Sequence, residues 1–144
     1  MQQISPDTPV GHTVTGRTKK VTSYRTWLFS GGWPRFDGWP AKNVHTDLAA
    51  AQASGLPTRA ASGAMCLGYL TELLVDLFGE AWLTYGELES KFIGIIDAGD
   101  DIVSKARVTD TESTDSGVQF SLDVWCENQD GTPVVVGTAS GRLE

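Results

Sequence analysis

The chain has little from which to build a metal centre: two histidines, His12 and His45, and two cysteines, Cys66 and Cys126, in 144 residues. Neither cysteine has a Cys or His companion at ligand spacing, so no metal site is expected. The cysteines lie far apart in apolar-patterned segments, which predicts buried free thiols rather than a disulfide. Basic charge is also scarce. Eleven Lys and Arg stand against eighteen Asp and Glu, a formal net charge of −7 at pH 7. Nucleic acid and anionic membranes are tracked by basic faces, so neither is an expected partner. No window approaches the roughly 20 apolar residues of a bilayer span. The opening MQQISPDTPV lacks the basic and apolar regions of a signal peptide, so the expected location is cytoplasmic. Gly11 and Gly31-Gly32 are too sparse for a phosphate-cradling loop, and no cofactor is expected.

What is present suits one core. A length of 144 residues predicts a single domain over residues 1–144, and 40% hydrophobic with 20% charged residues excludes disorder. HTVTGRTKKVT, His12 to Thr22, predicts a strand, and Ser23 to Ser30 a short helix capped by Thr22 or Ser23. Gly31 to Asn43 carries Trp-Pro twice and must be a loop. Loops of that length in compact domains are often functional. Trp27, Trp33 and Trp39 therefore offer either a substrate wall or a seal on a core edge or subunit contact. Asp47 stands as an N-cap for LAAAQAS, which Gly55 can end.

Gly63 to Phe78, GAMCLGYLTELLVDLF, predicts a helix buried on most sides and ended by Gly79. The period then changes to that of strands: Leu83–Ile96, Asp101–Thr109, Val118–Glu127 and Pro133–Leu143. Asp/Gly turns separate them, and Asp130-Gly131 predicts a tight hairpin. Val118, Phe120, Leu122, Val124 and Cys126 share one strand face, with Trp125 on the other, as at a subunit contact. One apolar helix, a strand before it and an antiparallel meander after it predict an α+β fold, a sheet wrapped around a central buried helix.

The segment Asn43-Val44-His45-Thr46-Asp47, then Gly55-Leu56-Pro57, then Ala61-Ser62-Gly63-Ala64-Met65 resembles the MaoC-like dehydratases and R-specific enoyl-CoA hydratases, whose fold is the hotdog. Their usual motif reads Asp-x-Asn-Pro-x-His-x-Asp, followed by Ala-His-Gly-Met. Phe78-Gly79, Ala98-Gly99-Asp100 and Asn128-Gln129-Asp130-Gly131 extend the resemblance over nearly the whole chain. It implies a lyase acting on an enoyl or 3-hydroxyacyl thioester carried by coenzyme A or a carrier protein. His45 matches the catalytic histidine and Gly63 the glycine whose N–H polarises the thioester carbonyl. Such chemistry needs a base for water, an acid for the α-carbon and donors aimed at the enolate oxygen, and a helix N-terminus supplies such donors.

The family aspartate does not carry over. Five residues before His45 stands Pro40, and the asparagine is Asn43, two before instead of three. Asp37 is the nearest upstream carboxylate and the candidate to take that role, with Asp37 or Asn43 orienting the water or the imidazole. Ser62 replaces the histidine before the glycine; it either holds a water or the substrate carbonyl, or caps the helix. Arg59 and Lys91, with Arg35 and Lys42, are the candidate contacts for a phosphorylated carrier, and Lys91 is equally well a solvated strand residue. For His45 itself the plain alternative is a hydrogen bond that pins the loop. Three functions therefore stand: a hydratase or dehydratase; a divergent hotdog lyase, isomerase or cyclase on a small molecule without coenzyme A; or a non-catalytic subunit completing a partner's site. Each expects a homodimer or higher oligomer, because a small sheet leaves an edge and an outer face to cover.

Overall fold

The computed structural model describes residues 4–144. The predicted first strand is two short ones, β1 (Thr13–Thr15) and β2 (Lys19–Lys20). Gly16 ends β1 by packing on Ser104, its N–H donating to the Ser104 carbonyl at 2.8 Å. Lys19 then reaches Glu72 at 2.6 Å, and Arg17 reaches Glu72 and Asp76. Those carboxylates lie on the central helix, so the leader is fastened to it by charge as well as by backbone.

Helix α1 (Ser23–Ser30) forms as expected, with the Thr22 hydroxyl accepting from the Arg25 N–H. Helix α2 (Leu48–Ala53) is capped by the Asp47 carboxylate, which accepts from the Ala50 N–H at 2.8 Å. Helix α3 (Gly63–Phe78) has the predicted bounds, set by Ser62 at one end and Gly79, at φ +62°, at the other. It buries Met65, Cys66, Leu70, Leu73, Leu74, Leu77 and Phe78. Each fully buried leucine there contributes about 1.5–3 kcal/mol. Its exposed stripe is Ala64, Leu67 and Gly68, and so is apolar.

Beyond Gly79 the expected strand from Leu83 is replaced by a helix, α4 (Glu80–Tyr85). The cause is Trp82, which stacks on Phe78 with ring centroids 6.1 Å apart and is 7% exposed. A helical turn is what carries Trp82 back over the end of α3. Strand β3 (Glu87–Phe92) follows, then β4 (Asp101–Thr114), β5 (Gly117–Glu127) and β6 (Pro133–Leu143).

These strands form one antiparallel sheet in the order β1-β4-β5-β6-β3, with β2 also on β4. Strand β4 runs past the predicted Thr109, absorbing a register shift between Val108 and Asp110. The last connection is a longer loop than the predicted tight hairpin. Asn128 closes it, its side-chain oxygen accepting from the Asp130 and Thr132 N–H groups.

The inner face of the sheet packs Val14, Ile102, Ala106, Val108, Phe120, Leu122, Val124, Val135 and Ala139 against α3. The sheet thus wraps the central helix, as the pattern predicts. Cys66 and Cys126 are free and buried. The hydrogen bond with Cys66, and burial after it, push the Cys126 thiol up, which keeps it an unreactive core group. Among the described residues no helix is long and apolar enough to cross a membrane.

Candidate active site

The turn that carries His45 is built from backbone-seeking side chains. Asn43 accepts from the His45 N–H through Oδ1 at 2.9 Å and donates through Nδ2 to the Ser30 carbonyl at 2.8 Å. It therefore ties the histidine turn to the C-terminal end of α1. Thr46, 7% exposed, donates to the Ala41 carbonyl at 2.6 Å and accepts from the Asn43 N–H. Two short polar side chains thus replace a strand or helix ladder in holding the turn.

His45 is half-buried, and its Nδ1 lies 2.7 Å from the Ala60 carbonyl oxygen. A carbonyl only accepts, so Nδ1 carries the hydrogen. In the neutral ring Nε2 then holds the lone pair. This is the tautomer that a base working through Nε2 needs. Ala60 is itself fixed. It bridges Asp97, and the Ala61 N–H donates to the Ile96 carbonyl at 2.7 Å.

Three residues beyond Ala60, α3 begins. The Ser62 hydroxyl accepts from the Ala64 N–H at 3.3 Å and so caps the helix. The Gly63 N–H has no acceptor among the described residues. A donor at a helix N-terminus, free of partners and backed by the helix dipole, is suited to a developing oxyanion. The ring of Phe92, from the end of β3, lies over Gly63: a Cβ built there would fall 2.6 Å from Phe92 Cδ1. Phe92 did not stand out in the sequence. The signal was available, since alternation along β3 puts Phe92 opposite its exposed neighbour Lys91.

The structure therefore joins His45 to Asn43 and to Ala60, three residues before the opening of α3. Other residues singled out from the sequence lie differently. Pro40, in the place of the family aspartate, is half-buried against Gly31; a Cβ on Gly31 would fall 2.6 Å from Pro40 Cβ. The Trp39–Pro40 peptide bond is cis. Asp37 is exposed, and its carboxylate has no hydrogen bond among the described residues. Trp33 is 60% exposed.

Trp39 is half-buried in an aromatic cluster, edge-on to Tyr24 and Trp27 at 6.2 and 6.3 Å, with its indole N–H on the Gly32 carbonyl. Arg59 joins that cluster, its guanidinium 6.0 Å from the centre of the Trp27 ring and 3.3 Å from the Ser23 hydroxyl. Lys91 is elsewhere. It lines a groove of about 680 Å³ on the outer face of the sheet with Trp125, Val136, Glu89 and the Arg107–Asp123 ion pair. Trp125 is half-buried there and donates to Glu127, whose carboxyl is held below its ordinary value by Lys105 first and by that indole second. Among the described residues no three His, Cys, Asp or Glu converge as metal ligands.

The MaoC like domain family matches residues 41–125, from the residue after Pro40 to near the end of β5. The R-hydratase PhaJ1 from Pseudomonas aeruginosa, solved unliganded, superimposes with a TM-score of 0.72 at 20% identity, over 95% of this chain and 83% of its own. A MaoC-like dehydratase from Rhodospirillum rubrum gives 0.74 at 22% identity, over 96% of each chain. A chain of the ChsH1-ChsH2 complex from Mycobacterium tuberculosis gives 0.68 at 17% identity, over 95% of this chain and 99% of its own. At such identities the superpositions speak for the shared hotdog fold alone. No curated protein matches the chain.

Proposed function

The chain belongs to the MaoC-like domain family, and on that premise we propose that it is a hydratase or dehydratase acting on an enoyl or 3-hydroxyacyl thioester. The observation that carries this reading is the His45 Nδ1 bond to the Ala60 carbonyl, which leaves Nε2 as the ring's free base. In the hydration direction Nε2 takes a proton from water and the oxygen bonds to C3 of the enoyl group. The electron pair of the double bond moves through C2 to the thioester oxygen, which the Gly63 N–H receives. A proton returned to C2 completes the 3-hydroxyacyl product. Asn43 is a positioning residue, since its amide is committed to the histidine turn. A role for Lys91 requires a carrier that wraps around the β3 edge, whereas Arg59 and Trp39 sit on the α1 side.

Purified protein is to be given crotonyl-CoA while the absorbance of the conjugated thioester is followed. Loss of absorbance that His45→Ala abolishes supports the reading, and wild-type activity no higher than that of His45→Ala overturns it. A second reading is favoured by the loop: Pro40 packs on Gly31 and Asp37 is solvent-facing, so no carboxylate stands in the motif's place. It makes the chain a divergent lyase, isomerase or cyclase on a free small molecule, or a subunit that completes a partner's site. A two-protein complex among its structural relatives is in keeping with the subunit form. As further parts of the proposal, residues 1–144 act as one cytoplasmic domain and associate as a homodimer, β3 being a sheet edge in need of cover.

A further inference from the structure

The hydratase reading leaves open why residue 63 is glycine. An oxyanion donor needs only a backbone N–H, which every residue but proline carries. Gly63 does not have a positive φ, and at a helical position alanine is conformationally the better residue. What forbids a side chain is Phe92. A Cβ on Gly63 would fall 2.6, 2.9 and 3.0 Å from Phe92 Cδ1, Cε1 and Cγ, all inside contact distance. The backbone beneath the ring is fixed: Phe92 pairs with Val135, and the Ile93 and Gly94 N–H groups both donate to the Val134 carbonyl. The Ala61 N–H to Ile96 carbonyl bond fastens the same stretch of chain to the approach to α3. Wall and donor therefore share one frame. Yet Phe92 is 57% exposed, so apolar surface lies open to an incoming molecule beside an N–H that has no partner among the described residues.

From this juxtaposition we propose that Phe92 is the specificity-determining residue of the thioester site. Its ring is the wall against which the C2–H edge of a planar enoyl group lies while the carbonyl oxygen reaches the Gly63 N–H. It admits acyl groups unbranched at C2 and excludes those with a C2 methyl. This inference rests on the hydratase reading. A conjugated enoyl thioester is flat, so its C2–H edge packs against the face of an aromatic ring at little conformational cost. A methyl on C2 lies beside the carbonyl, in the space that the ring holds next to Gly63.

The test compares kcat/KM for crotonyl-CoA and its 2-methyl analogue in the wild type, Phe92→Ala, Gly63→Ala and the double variant. Thermal unfolding checks that each is folded. The wild type is expected to prefer the unbranched thioester by about 10- to 200-fold, the range that one methyl group commands. Phe92→Ala should bring that ratio near unity, raising KM for crotonyl-CoA with a smaller effect on kcat. Gly63→Ala keeps the N–H but pushes the ring aside, so its activity should fall; adding Phe92→Ala should restore part of it. An unchanged ratio in Phe92→Ala, or a double variant no better than Gly63→Ala, overturns the inference and leaves the hydratase reading standing. Turnover of neither thioester by the wild type removes that reading and the inference together.

Discussion

Asn43 offers the sharpest check on how the histidine turn is held. Its side chain makes two well-formed bonds, accepting from the His45 N–H at 2.9 Å and donating to the Ser30 carbonyl at 2.8 Å, and a longer one to the Ala41 carbonyl at 3.4 Å. Each good bond of this kind is worth about 1 kcal/mol net. Asn43→Ala removes both and leaves partly buried backbone groups to find water, so a loss of about 2 kcal/mol is expected. For a chain of this length that lowers Tm by roughly 4–8 °C. Asn43→Asp separates the two bonds. The aspartate keeps an acceptor for the His45 N–H but turns an anionic oxygen toward the Ser30 carbonyl, so it should recover less than half of the loss. Thermal unfolding of the three proteins, followed by circular dichroism, measures the effect. With turnover in hand, kcat should fall more than KM rises, because the imidazole is misplaced while the acyl wall is intact. An alanine variant within 1 °C of the wild type, or an aspartate variant equal to it, would refute the reasoning.

Glu127 predicts an acid response. Lys105 first, and the Trp125 indole second, hold its carboxyl below the ordinary value of 4.5. A folded pKa below the unfolded one gives stability that is full above the unfolded value and lost as pH falls through the folded one. Urea midpoints of the wild type and Glu127→Gln should therefore differ at pH 7 and converge as pH falls through the lowered folded value, and a gap constant with pH would count against the bond. Glycine to alanine should change stability with opposite signs at two places. At Gly31 a Cβ would meet the Trp27 carbonyl oxygen at 2.5 Å and Pro40 at 2.6 Å, so Gly31→Ala should cost about 1–3 kcal/mol. At exposed Gly68 in α3 a Cβ would meet no atom of the described residues within 4 Å beyond the helix's own backbone, so Gly68→Ala should stabilise by up to about 1 kcal/mol in urea unfolding. The same sign at both sites would contradict the packing described.

The parts of the fold legible in the sequence are those whose cause is local. Helix α3 shows because an apolar run lies between a capping serine and a glycine stop, and β5 because its buried residues alternate. Helix α4 does not show, since six residues are too few to display a period. Its reason for being helical is Trp82 stacking on a residue of the preceding helix. The site divides in the same way. Ser62 and Asp47 can be read as caps because the bonds they make are two or three residues away. The partner of His45 is a backbone carbonyl fifteen residues on, which no side-chain pattern announces.

That partner also limits what the chain's own site can do. A carbonyl orients the imidazole and fixes its tautomer, but it neither takes up a proton nor stabilises an imidazolium as a carboxylate does. With Pro40 committed to packing on Gly31, a hydratase built on these residues must pass its protons through the single Nε2 of His45. Water's proton, held there, is then the one available to C2, and the hydroxyl and the new hydrogen arrive from the same side of the double bond. Hydration of crotonyl-CoA in deuterated water, with the relative configuration at C2 and C3 read by proton coupling, should therefore show syn addition, and anti addition would require a second acid on the opposite face.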